Sequence, residues 1–70
     1  MNLTVNGKPA FIKEKASLNV NDLLEELEVK QAEYVSVELN GEILERESFG
    51  RVTVKDGDTV EFLYFMGGGH

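Results

Sequence analysis

Two spacings of apolar residues take turns along this chain. Leu3-Thr4-Val5 alternates apolar with polar and runs into Asn6-Gly7, a pair suited to the positive φ angles of a two-residue hairpin turn. A return strand is expected over Pro9 to Lys13, with Pro9 at its first residue or on an edge because it has no N–H to give a ladder. The period then changes. Val20, Leu23, Leu24 and Leu27 fall at i, i+3, i+4 and i+7, one stripe of a helix of about ten residues. Asn19 stands where an N-cap is wanted, with Asp22 three residues on in the manner of a capping box. Glu25, Glu26 and Glu28 lie off the stripe and form a solvated face. A helix this short is not stable alone in water and must lie on a sheet.

Strand patterning returns from Tyr34 to Leu39 and meets Asn40-Gly41, a second hairpin signal, after which Ile43-Leu44 continues the meander. Glu45 to Gly50 is polar and irregular, with Phe49 expected to pin it to the core and Arg46 and Glu47 able to form a surface ion pair of small worth. Val52 and Val54 mark a short extended piece, and Asp56-Gly57-Asp58 is a turn in which Gly57 takes the positive φ. The last strand runs from about Thr59 to Phe65. Val60, Phe62 and Tyr64 share one face; Glu61, Leu63 and Phe65 share the other. If Glu61 marks solvent, Leu63 and Phe65 face outward and, with Met66, form a candidate partner-binding patch.

The first and last strands have the best core patterns and are expected side by side as a central parallel pair, with the helix over one face of a mixed sheet. The fold class is therefore α+β: a β-grasp, or ubiquitin-like, arrangement of four to five strands on one main helix. Residues 1–65 would form this domain and residues 66–70 a flexible glycine-rich tail.

Composition narrows the chemistry. Seventy residues suffice for one domain with a thin core. The apolar fraction of 41% is that of a folded chain, and without cysteine there is no disulfide, thiolate metal cluster or cysteine nucleophile. Thirteen acidic against seven basic residues give a net charge of −6, which disfavours nucleic acid and suits a partner with a basic face. No basic region precedes an apolar run at the N-terminus, and no apolar stretch nears the roughly 18 residues of a membrane span, so a cytoplasmic location is expected. No nucleophile–base pair, phosphate-binding glycine loop or metal-ligand cluster is present in the pattern; an enzyme is not expected, nor a bound cofactor or metal.

The tail carries the remaining chemistry. Gly67-Gly68-Gly69 follows a core strand with only His70 beyond it. Fully extended, residues 66–69 would reach roughly 13 Å. Lacking Cβ atoms, they can enter a channel too narrow for other residues and leave a carbonyl carbon open to a nucleophile.

The stretch Val54 to Phe62, with its Asp56-Gly57-Asp58 turn, followed by Met66-Gly67-Gly68-Gly69, resembles the C-terminal signature of the ThiS family of sulfur carriers. Val5-Asn6-Gly7, Leu23-Leu24 and the segment from Asn40-Gly41 to Arg46-Glu47 match as well, so the resemblance spans nearly the whole chain; related molybdopterin-type carriers share the tail but usually run longer. The resemblance implies a carrier. A partner similar to ubiquitin-activating enzymes uses ATP to adenylate the terminal glycine, a sulfur donor converts the acyl-adenylate to a thiocarboxylate, and the sulfur passes to a biosynthetic enzyme such as thiazole synthase on the thiamine pathway. Gly69 would be the reactive residue and Gly68 its conformational partner, while Gly67 lies where the family tolerates other small residues. Glu45 stands where the family often has proline, and Phe49 where a larger aromatic is common. A larger departure is His70, which holds the Gly69 carboxyl in a peptide bond until a peptidase removes it, unless it comes from a tag. Trimmed relatives often serve cysteine or methionine synthesis, so these routes, molybdopterin-type cofactor synthesis, conjugation through Gly69, and a plain ubiquitin-like interaction module stand as alternatives.

Overall fold

The computed structural model describes residues 1–64. Seven strands, one α-helix and two 3-10 turns occur in the order β1 (Asn2–Val5), β2 (Lys8–Phe11), β3 (Ser17–Asn19), α1 (Val20–Glu26), a 3-10 turn (Ala32–Tyr34), β4 (Val35–Leu39), β5 (Glu42–Ile43), a second 3-10 turn (Arg46–Ser48), β6 (Thr53–Lys55) and β7 (Thr59–Tyr64). Five strands form a mixed sheet in the order β2-β1-β7-β4-β5, and β3 pairs with β6 in a small second sheet. The expected parallel pair is present: Thr4 aligns with Thr59 and Val5 with Val60, and β7 holds the central position. Both Asn-Gly turns take positive φ at both residues, 52° and 80° at Asn6-Gly7 and 51° and 91° at Asn40-Gly41, matching the right-handed twist of the strands they join.

Alternation along the strands sends Leu3, Val35, Val37 and Val60 to one face, where Val20, Leu23 and Leu24 of α1 cover them with Ile12, Phe49 and Val54. The helix starts where the sequence indicates. Asn19 is the N-cap, its Oδ1 accepting the Asp22 N–H at 2.8 Å. The Val20 N–H is taken by the carbonyls of Phe49 and Val52, so the loop that Phe49 anchors also terminates the helix.

Three elements differ from expectation. The helix is shorter, closing at Leu27 with Glu28 at φ 54°. There the Val29 N–H reaches the Leu24 carbonyl and the Glu28 N–H that of Glu25, the bond pattern of a Schellman ending, with Val29 and Leu24 both packed toward the core. Glutamate in place of glycine hides this stop from sequence reading. The return strand spans Lys8–Phe11, not Pro9 to Lys13, although Ile12 beyond it is fully buried. Arg46 does not pair with Glu47. Its guanidinium donates to the Val35 carbonyl and lies 5.0 Å from the Phe49 ring centre, so it braces the 3-10 turn against β4.

The turn before β7 is held from two sides. Asp56 Oδ1 accepts the Asn2 N–H at 2.6 Å, and the Gly57 N–H, at a φ of 91°, donates to the Asn2 carbonyl at 2.7 Å. Asp58 is the one buried charged residue described. Its carboxylate accepts the Lys55 N–H at 2.9 Å and the Asn40 amide at 3.1 Å, while Asn40 Oδ1 takes the Thr59 N–H at 2.9 Å. Burial pushes the Asp58 pKa up, but the Lys55 N–H, the Asn40 amide and the Lys55 ammonium at 3.5 Å together hold it below the ordinary 3.8.

Glu28→Gly relieves the left-handed strain and is expected to raise stability by up to about 1 kcal/mol in denaturant titration; a loss would show that the glutamate is not strained there. Asp58→Asn removes the ionised acceptor and is expected to lower stability at neutral pH by about 1–3 kcal/mol. Because the folded carboxyl titrates below its unfolded value, its contribution is fully present above pH 3.8 and disappears as pH falls through the folded pKa. Wild type and Asp58→Asn should therefore converge in thermal stability toward acid pH, and a constant gap from pH 7 down to pH ~2 would contradict this.

Candidate functional site

The residues expected to carry the chemistry follow β7, so the site starts with how that strand ends. β7 pairs with β4 from Leu39 opposite Val60 to Val35 opposite Tyr64. On its other flank β1 accompanies it only to Val60, because the chain turns away at Asn6-Gly7. The Phe62 N–H, left without a ladder partner, is taken by Asn6 Oδ1 at 2.8 Å. Tyr64 is tied from its ring, Oη donating to the Lys30 carbonyl at 2.7 Å. The last residues of β7 are thus fixed at β4, at the Asn6 side chain and at the loop after α1. Nothing in the sequence pattern signalled the two side-chain ties.

The sequence-predicted residues divide at this point. Phe65, Met66, Gly67, Gly68, Gly69 and His70, including the proposed adenylation site and the residue proposed for removal, lie outside the described residues. Leu63 is described and occupies the expected face, opposite Ser36 and two positions from Glu61, but it is half-buried. Two exposed residues that the pattern reading did not single out share that open face: Phe11, 64% exposed, beside Asn2, and Ile43, 59% exposed, beside Glu38. Each stands next in sequence to a residue of the core or packed on it, Phe11 to Ile12 and Ile43 to Leu44. Val60 and Phe62 turn inward as expected, Val60 fully buried.

Elsewhere the surface offers little chemistry. A hollow of about 540 Å³ lies between α1, the following loop and Arg46; Asp22, Glu25, Glu28 and Glu33 line it and no described residue of β7 does. No group of three or more His, Asp or Glu side chains that could hold a metal is gathered among the described residues. No helix among them is long and apolar enough to cross a membrane.

Comparison with known proteins agrees with this geometry. The chain is 36% identical over 67 residues to the sulfur carrier protein ThiS of Bacillus subtilis, covering 96% of this chain and 98% of that one. It is 42% identical over 69 residues to a thiazole synthase of Paramagnetospirillum magneticum; the match takes in 99% of this chain but only 20% of that protein. A crystal structure of the thiamine biosynthesis protein ThiS from Geobacter metallireducens superposes with a TM-score of 0.94 at 71% identity, covering 99% of this chain and all of that one. A solution structure of a thiamine biosynthesis protein from the same organism gives a TM-score of 0.80 at 70% identity, covering all of this chain and 90% of that one. The model of the ThiS family matches residues 3–69, from the first strand to the last glycine, and the chain belongs to that family.

Proposed function

We propose that this chain carries sulfur for thiamine biosynthesis as a thiocarboxylate on Gly69, formed after removal of His70. The observation that carries the reading is the extent of the family match, which runs from residue 3 through Gly69. Membership of this family makes the chain a carrier and not a catalyst.

The reaction needs little from the carrier itself. A free glycine carboxylate attacks the α-phosphate of ATP in the adenylating enzyme's site and pyrophosphate leaves. The acyl-adenylate then has a good leaving group, and attack by sulfide (HS⁻) on the Gly69 carbonyl carbon forms the C–S bond, expels AMP and, after loss of the proton, leaves a thiocarboxylate. A peptide-bonded Gly69 has no carboxylate to begin this sequence, so a peptidase acts first. Leu63, Phe65 and Met66, which precede the glycines in sequence, would meet the partner enzyme.

Thiazole synthase is the favoured acceptor. A protein of that name contains a segment 42% identical to this chain, and the two solved relatives are named for thiamine biosynthesis. These observations place thiamine ahead of the cysteine, methionine and molybdopterin-type routes.

Chain ending at Gly69, incubated with the host's adenylating enzyme, ATP and a sulfur donor, is expected to gain the mass of one oxygen exchanged for sulfur, with the fragment ions locating it on Gly69. The chain still bearing His70 should remain unmodified in the same mixture. Modification of both forms, or of neither, would refute the proposed role of the Gly69 terminus.

A further inference from the structure

The two hairpin turns share a dipeptide, but the fold holds its side-chain amide differently in each. Asn6-Gly7 and Asn40-Gly41 are both exposed, and neither glycine N–H has an acceptor among the described residues. An asparagine followed by glycine can react with itself. Attack of the glycine nitrogen on the side-chain Cγ closes a five-membered ring, and a glycine has no Cβ to shield that approach. Nothing stands within 4 Å of where a Cβ would be at Gly7 or Gly41, so no neighbouring element packs over either turn.

Asn40 is held at both ends of its amide. Its Nδ2 donates to Asp58 Oδ1 at 3.1 Å, and its Oδ1 accepts the Thr59 N–H at 2.9 Å. Asn6 is held at one end: Oδ1 accepts the Phe62 N–H at 2.8 Å, and Nδ2 has no partner among the described residues. To swing Cγ toward the glycine nitrogen, Asn40 gives up two hydrogen bonds, one of them to the buried Asp58 carboxylate, whereas Asn6 gives up one. Bonds to ionised acceptors are the costlier to break. An acid at Asn40 would also set a second carboxylate against Asp58, where the amide now donates.

We propose that Asn6 is a site of spontaneous deamidation, and that its isoaspartate form uncaps the last residues of β7. The Gly7 nitrogen gives up its proton to solvent base and bonds to Asn6 Cγ; the Cγ–Nδ2 bond breaks, Nδ2 takes a proton from water and leaves as ammonia. Water then opens the resulting imide. Cleavage of the new Cγ–N bond gives aspartate, and cleavage of the main-chain carbonyl carbon–N bond gives isoaspartate, whose chain runs through Cβ and Cγ. Aspartate keeps an acceptor for the Phe62 N–H at the same reach. Isoaspartate adds one carbon to the turn that closes Val5 on Lys8 and carries its carboxylate directly on Cα, so the acceptor is withdrawn. The proposal stands apart from the sulfur-carrier reading.

The test incubates the folded full chain, and the same chain in denaturant, in mildly alkaline buffer, and follows both sites by peptide mapping with isoaspartyl methyltransferase labelling. In denaturant the two sites should react at similar rates; in the folded chain Asn6 is expected to react at least roughly tenfold faster than Asn40. Amide exchange at Phe62 should quicken about tenfold in the isoaspartate form and stay unchanged in Asn6→Asp. Equal rates at the two sites of the folded chain, or reaction in denaturant alone, would overturn the assignment of Asn6. Unchanged Phe62 exchange in the isoaspartate form would overturn the uncapping.

Discussion

The structure depends on a parallel pairing between its first and last strands, made by residues more than fifty positions apart. Such a contact closes nearly the whole chain into a loop and gains little from neighbours in sequence, so something must hold it. The Asp56-Gly57-Asp58 turn does this. Asp56 and Gly57 grip the backbone of Asn2 on one side, and Asp58 grips Asn40 and the Lys55 N–H at the end of β6 on the other. One turn thereby ties β1, β7 and the β4–β5 hairpin at the same end of the sheet. The acidic residues of a motif that resembles a family signature act here as ligands for backbone N–H groups, and a buried carboxylate with its acceptors filled is stable in its ionised form.

With that end fixed, the opposite end of the sheet is free to differ. The helix crosses the inner face and stops at Leu27, because Glu28 takes a left-handed conformation and the chain turns back through Val29. Phe49 fills the space beside Leu23 and Val20 and lends its carbonyl to the helix start, which is why a polar, irregular segment is nevertheless well anchored. Arg46 contributes through its stacked guanidinium and a backbone acceptor, not through a surface ion pair.

Much of this was legible in the sequence, for identifiable reasons. Both Asn-Gly turns and the N-cap at Asn19 follow from local rules, positive φ and capping, that act within a few residues, while the core alternation of the first and last strands marked them as the central pair. What the pattern hid lies in contacts between distant positions. Ser17–Asn19 becomes a strand only because Thr53–Lys55 comes to lie beside it, placing Leu18 against Val54. The end of α1 was obscured because a glutamate occupies a position where glycine is usual. The ties of Asn6 to Phe62 and of Tyr64 to Lys30 join residues 56 and 34 positions apart, beyond any local signal. The face of Leu63 was read correctly, but its half-burial depends on neighbouring strands.

The length of β1 connects this architecture to the end of the chain. Asn6-Gly7 stops β1 after Val5, so β7 runs on past its parallel neighbour for Glu61 to Tyr64, supported by β4 alone on the ladder side. A longer β1 would pair the rest of β7 along its second flank. An uncapped short β1 would leave a free donor at Phe62, inviting unspecific strand addition where the tail begins. The Asn6 side chain takes an intermediate course: it satisfies the nearest donor, preserves the register and ends the pairing there. A hairpin signal at the sixth and seventh residues thus sets where the sheet releases β7.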